Sequence, residues 1–82
     1  MKRLERIALE IAAFRQAITP LDLCAETGES ATACERAIRR NVERGYLTGS
    51  RHFARITENG RTALDFSPRH VTQPLASAGG LS

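Results

Sequence analysis

Thr19-Pro20-Leu21-Asp22-Leu23-Cys24-Ala25-Glu26-Thr27-Gly28-Glu29-Ser30-Ala31 decides how this chain folds, because it holds two helix starts and one helix stop. Thr19 offers a capping hydroxyl, Pro20 suits a first helical turn, and Asp22 sets a carboxylate at the positive end of the helix dipole. A short helix over residues 20–27 follows, ended by Gly28, which adopts left-handed backbone without steric cost. Ser30 caps the next helix. No Gly or Pro interrupts residues 31–44, so that helix is expected to run until Gly45 stops it.

Working outward toward the start, Leu4, Ile7, Ala8, Ile11, Phe14 and Ile18 recur with helical spacing. They predict a helix over residues 2–17 that buries this stripe, with Lys2, Glu5, Leu9 and Gln16 on the other side. In the other direction, Tyr46-Leu47-Thr48 and Phe53-Ala54-Arg55-Ile56 read as two strands joined by a turn at Gly49-Ser50-Arg51-His52. A hairpin that small needs the helices as support. Thr57 with Glu58 starts one more short helix, where Ala63 and Leu64 supply apolar contact and Gly60 weakens the turn. Residues 67–82 carry two prolines and a glycine pair without periodicity, and they are expected to be a disordered tail. The expectation is one domain over residues 1–66, mainly α with a small β-hairpin.

Eighty-two residues support one modest core, and 41% hydrophobic composition is enough to build it. Twelve basic against nine acidic residues give a net charge of +3, and the pI is about 9.5. The charge is unevenly spread. Between Ala31 and Arg55 stand Arg36, Arg39, Arg40, Arg44, Arg51 and Arg55 against only Glu35 and Glu43, whereas Glu5, Glu10, Asp22 and Glu26 lie earlier. On a helical wheel of residues 31–44, Ala31, Cys34, Ala37, Ile38 and Val42 share one side. Thr32, Ala33, Arg36, Arg39, Arg40 and Glu43 lie opposite. Small residues at a helix start followed by arginines suit entry into a major groove, because short side chains let the backbone approach and planar guanidinium groups pair with guanine or phosphate. A merely solvated charged face is the competing reading of the same residues.

The tight turn at Gly28 between two helices is a helix-turn-helix arrangement. The stretch from Leu23 to Ser30 resembles that motif, with Cys24 where a small alanine is usual and Gly28 at the turn. Arg39-Arg40-Asn41-Val42-Glu43-Arg44-Gly45-Tyr46-Leu47 resembles the passage leading from recognition helix to wing in MarR-like and PadR-like winged-helix regulators. Ile56-Thr57-Glu58-Asn59-Gly60-Arg61-Thr62-Ala63-Leu64 is similar to the segment that follows the wing. The likeness spans residues 4–66. Thr27, Glu29 and Asn41 depart from it, standing where apolar residues are usual, which implies a looser junction between the two motif helices.

The resemblance implies a winged helix-turn-helix, a three-helix bundle plus wing, that binds double-stranded DNA as a small transcriptional regulator. Helix 31–44 would enter the major groove and wing 49–53 would lie on the backbone. Thr32, Ala33 and Arg36 are then expected nearest the bases, and Arg39, Arg40, Arg51, His52 and Arg55 on phosphates. A homodimer through Leu9 and Ala13, on the outward side of the first helix, would extend the footprint. The alternative uses of such a surface are a protein-protein interaction module and a structural subunit of a phage or mobile-element assembly.

Little else in the sequence suggests chemistry. Cys24 and Cys34 are ten apart with His52 and His70 distant, so no paired zinc-ligand spacing exists and no metal or cofactor is expected. Both cysteines fall where the resemblance packs the motif helices together, and they are read as reduced core residues rather than a redox-linked disulfide. No nucleophile elbow or phosphate loop is present, so an enzyme is not expected. The family's long dimerisation and sensor helices have no counterpart, so no small-molecule ligand is expected. No apolar run approaches membrane-spanning length, and two cysteines without a targeting segment suit the cytoplasm.

Overall fold

The computed structural model describes residues 1–65, so the expectation of a disordered tail lies outside the described residues. The elements run α1 (Arg3–Arg15), β1 (Ala17–Ile18), α2 (Pro20–Thr27), α3 (Ala31–Glu43), β2 (Leu47–Ser50), β3 (Phe53–Ile56) and α4 (Glu58–Asp65). The strands form one antiparallel sheet in the order β1-β3-β2. The architecture is mainly helical with a small sheet, as the sequence suggests.

The caps behave as their chemistry requires. Thr19 Oγ1 accepts from the Asp22 N–H at 3.3 Å, while the Thr19 N–H donates to Asp22 Oδ2 at 3.0 Å. Gly28 ends α2 at φ 77° and its N–H donates to the Cys24 carbonyl at 2.8 Å. Ser30 Oγ accepts from the Ala33 N–H at 3.2 Å and starts α3. Thr57 Oγ1 accepts from the Gly60 N–H at 3.0 Å and its own hydroxyl donates to the Gly45 carbonyl at 2.6 Å, tying α4 to the end of α3.

The start of the chain departs from expectation. Helix α1 stops at Arg15, because Gln16 turns left-handed at φ 73° and the next two residues are extended. Pro20 favours extended backbone at Thr19, and β1 pairs Ala17 with Arg55 and Ile18 with Ala54. That third strand was not foreseen. It buries Ile18 completely. Of the expected stripe on α1, Ala8 is fully buried and Leu4, Ile7 and Ile11 pack against the core, but Phe14 is 87% exposed, and the fully buried side is rotated to include Leu9 and Ala12. Both α3 and β3 pack on α1, and the small side chains of Ala8 and Ala12 allow that close approach. Leu9, expected on the outward side, belongs to the core, and Ala13 is half-buried, so the dimer contact expected through them is withdrawn.

The core joins Ala8, Leu9 and Ala12 of α1 with Ile18, Leu23, Cys34, Ala37, Ile38, Leu47 and Ala54. Each fully buried Leu or Ile contributes about 1.5–3 kcal/mol of transfer free energy. On α3, Cys34, Ala37 and Ile38 face this core as expected and Val42 packs against it, but Ala31 is exposed. Asn41 is fully buried rather than marking a loose junction. Its Nδ2 donates to the Glu5 carbonyl at 3.0 Å and the Ala37 carbonyl at 3.2 Å, while Oδ1 is buried without a partner among the described residues. Strand β2 begins at Leu47, not Tyr46, because the Tyr46 N–H is taken by the Asn41 carbonyl at 2.9 Å.

Candidate nucleic-acid interface

Helix α3 turns its polar face outward because Cys34, Ala37 and Ile38 fix the opposite face in the core. Hairpin β2–β3 is registered Leu47 to Ile56 through Ser50 to Phe53, which leaves Arg51 and His52 as its two-residue turn. Gly49 sits at φ 131° next to Ala54, and a Cβ there would lie 2.5 Å from the Phe53 carbonyl oxygen, so the strands close tightly just below the turn. These two constraints bring Arg51 beside α3. Thr32, Glu35, Arg36, Arg39 and Arg51 line one shallow hollow of about 200 Å³.

Glu35 joins the helix to the turn. Its Oε1 lies 3.6 Å from Arg51 Nε and its Oε2 lies 3.9 Å from His52 Nδ1. Arg39 Nε lies 3.7 Å from Glu43 Oε2 one helical turn away. All three side chains remain at least half exposed, at 52% for Arg51, 63% for His52 and 55% for Arg39. Arg36 is exposed and makes no ion pair among the described residues.

A second hollow of about 190 Å³ adjoins the first around Lys2, Leu4, Glu5, Ala33, Arg36, Ala37 and Arg40. At its base is Glu5, only 2% exposed. Arg44 pairs with Glu5 Oε1 through Nη1, and Arg40 Nε lies 3.8 Å from Oε2. The Lys2 N–H donates to the same carboxylate at 3.4 Å. Burial pushes the Glu5 pKa up, but the Arg44 hydrogen bond, the Lys2 N–H and the charges of Arg44 and Arg40 outweigh it, so Glu5 titrates below its ordinary value. The same hydrogen bond and charge hold Arg44 above its ordinary value.

The expected site residues are therefore not all gathered. Thr32, Arg36, Arg39 and Arg51 share one surface, His52 joins it through Glu35, and Ala33 faces the adjoining hollow. Arg40 is drawn toward the buried Glu5 and is only partly available to an outside anion. Arg55 alternates with the buried Ala54 along β3, so it lies on the sheet face turned away from the core, and it lines neither hollow.

Three participants were missed by sequence reasoning. Lys2 and Glu5 were assigned to the far side of the first helix, and Glu35 was counted only as a negative charge. The Glu5–Arg40–Arg44 contacts join positions 35 and 39 residues apart, for which periodicity gives no signal.

Among the described residues, no group of three or more His, Cys, Asp or Glu side chains is placed to hold a metal ion, and no helix is long and apolar enough to cross a membrane. Comparison of the chain with protein-family profiles, with curated proteins and with solved structures gives no match.

Proposed function

We propose that this chain is a winged helix-turn-helix domain that binds double-stranded DNA as a small transcriptional regulator. Helix α3 enters the major groove and the Arg51–His52 turn acts as the wing on the neighbouring backbone. The observation that carries this reading is the shared exposure of Thr32, Arg36, Arg39 and Arg51 around one hollow at the start of α3.

Arg36, exposed and without an ion pair among the described residues, reads base edges. Thr32 and Ala33 keep the helix start narrow enough for close approach. Arg39 and Arg51 bind phosphates after letting go of Glu43 and Glu35. Exposed pairs of this kind are worth about 0.2–1 kcal/mol, so a phosphate displaces them readily. Arg40 contributes a weaker field from its place beside Glu5. Two copies on a repeated site would supply the affinity that one small module lacks.

The test is fluorescence anisotropy on a duplex selected from a random pool, with heparin as competitor, for the native chain, Arg36→Ala and Arg51→Ala. Arg36→Ala is expected to narrow the gap between selected and random duplex by about tenfold or more, consistent with about 1–3 kcal/mol for a bidentate base contact. Arg51→Ala is expected to weaken both equally and to reduce the salt slope by about one. An unchanged selected-to-random ratio in Arg36→Ala overturns the base-reading role. Complete loss of native binding to heparin overturns the DNA reading in favour of an acidic protein partner.

A further inference from the structure

At the junction of α2 and α3, outside the cationic hollows, two nucleophilic side chains meet. Cys24 Sγ lies 3.3 Å from Cys34 Sγ, both thiols free. Cys24 is half-buried and open to solvent on one side, whereas Cys34 is fully buried. We propose that Cys24 and Cys34 form a peroxide-oxidisable dithiol that closes reversibly into a disulfide across the helix-turn-helix elbow.

The two thiols have unequal roles. Burial and the hydrogen bond from Cys24 push the Cys34 thiol up to about 11, so Cys34 stays protonated at neutral pH and shielded from the oxidant. Cys24 is the sulfur a hydroperoxide reaches. Its thiolate attacks one peroxide oxygen, the O–O bond breaks, a sulfenic acid forms on Cys24, and the departing hydroxide or alkoxide takes up a proton. Cys34 then attacks the Cys24 sulfur. The S–S bond forms, the S–O bond breaks, and the leaving hydroxide takes the Cys34 proton as water. Both thiols are oxidised together by two electrons, and the hydroperoxide is reduced by two.

The elbow is built for such closure. The short segment Gly28-Glu29-Ser30 between α2 and α3 is exposed, so packing around it does not hold the two helix ends apart. Bringing the sulfurs from 3.3 Å to the bonded separation of about 2 Å draws α2 and the first turn of α3 together. That turn carries Thr32 and Ala33, and Arg36 follows in the next turn. A displacement approaching 1 Å there exceeds the tolerance of a base-edge hydrogen bond. This consequence rests on the DNA reading proposed above; the sulfur chemistry does not.

The test treats the full chain with stoichiometric hydrogen peroxide and reads intact mass, titratable thiols and migration without reductant. Expected are a loss of two hydrogens, disappearance of both thiols, a monomeric product, and full recovery with dithiothreitol. Cys34→Ser, a near-isosteric change, should instead accumulate a Cys24 sulfenic acid that dimedone traps, and Cys24→Ser should keep Cys34 as a thiol under the same treatment. Two thiols surviving excess peroxide, a disulfide-linked dimer, or oxygen added to both sulfurs overturns the proposal. On a selected duplex the oxidised form is expected to bind at least tenfold more weakly than the reduced form. If the disulfide forms and neither form binds duplex, the dithiol stands and the DNA reading falls. If the reduced chain binds duplex but no disulfide forms, the opposite holds.

Discussion

Glu35 Oε1 lies 3.6 Å from Arg51 Nε, linking the second turn of α3 to the tip of the hairpin. This carboxylate has opposing effects in the proposed interface. It holds Arg51 and His52 near the helix, but it also places a negative charge where a phosphate must approach. Because the pair is half-exposed, its contribution to holding the turn is small, and the charge dominates.

Glu35→Gln is therefore expected to bind duplex DNA about three- to fivefold more tightly at low salt, with a salt slope steeper by up to about one. Thermal stability should change by less than about 1 kcal/mol. Anisotropy titrations at several salt concentrations, beside thermal denaturation, check both. Weaker binding would show that Glu35 acts mainly to position the turn.

Glu5 governs the acid limit of the fold. Its native pKa is lowered, so the unfolded chain takes up the proton more readily than the folded one. The stabilisation is complete above the ordinary carboxylate value of about 4.3 and is lost as pH falls through the lower native value. Glu5→Gln should lose about 1–2 kcal/mol at pH 7, because Arg40 and Arg44 keep access to solvent when the carboxylate is gone. It should also show a flatter stability profile at acid pH. Denaturant titrations at neutral pH and at about pH 3 measure the difference; equal acid sensitivity in both chains would disprove the assignment.

Gly60 and Gly28 provide a paired test of backbone against space. A Cβ on Gly60 would sit 2.2 Å from the Tyr46 carbonyl oxygen, which itself accepts the Thr57 N–H at 3.1 Å. Gly60→Ala gains about 1 kcal/mol of helix propensity but must push α4 off the hairpin base, so a net loss of about 2 kcal/mol is expected. Gly28→Ala meets nothing within 4 Å and suffers only its φ of 77°, a loss of about 1 kcal/mol. Urea midpoints of the two variants should rank in that order.

Local signals in the sequence carry the helix boundaries. Thr19, Asp22, Gly28 and Ser30 act within three or four residues, and the boundaries of α2 and the start of α3 follow from them. Long-range packing was not visible. The expected stripe Leu4, Ile7, Ala8, Ile11, Phe14 meets the core through Ala8 and at its edge, yet the sheet and α3 select the neighbouring side, where Ala8 and Ala12 permit contact and Leu9 is buried. Asn41 looked like a flaw in a leucine position, but its amide spans the Glu5 and Ala37 carbonyls. Gly60 looked like a weak helical residue, and its reason is a carbonyl fourteen positions earlier. For the candidate site, the arginine-rich face of α3 and the basic turn were legible. The carboxylates that restrain them were not, because each acts across elements whose docking no spacing rule encodes.

Strand β1 has only two residues, yet it lies in the chain connection between α1 and α2, and it is laced to β3 at Ala17–Arg55 and Ile18–Ala54. A load applied to the loop tip at Arg51 travels down β3 into this splice and reaches the Thr19 cap of α2. Clamping the finger against a rigid polymer would thereby stiffen the connection between α1 and α2, and amide exchange at Ile18 and Asp22 would slow.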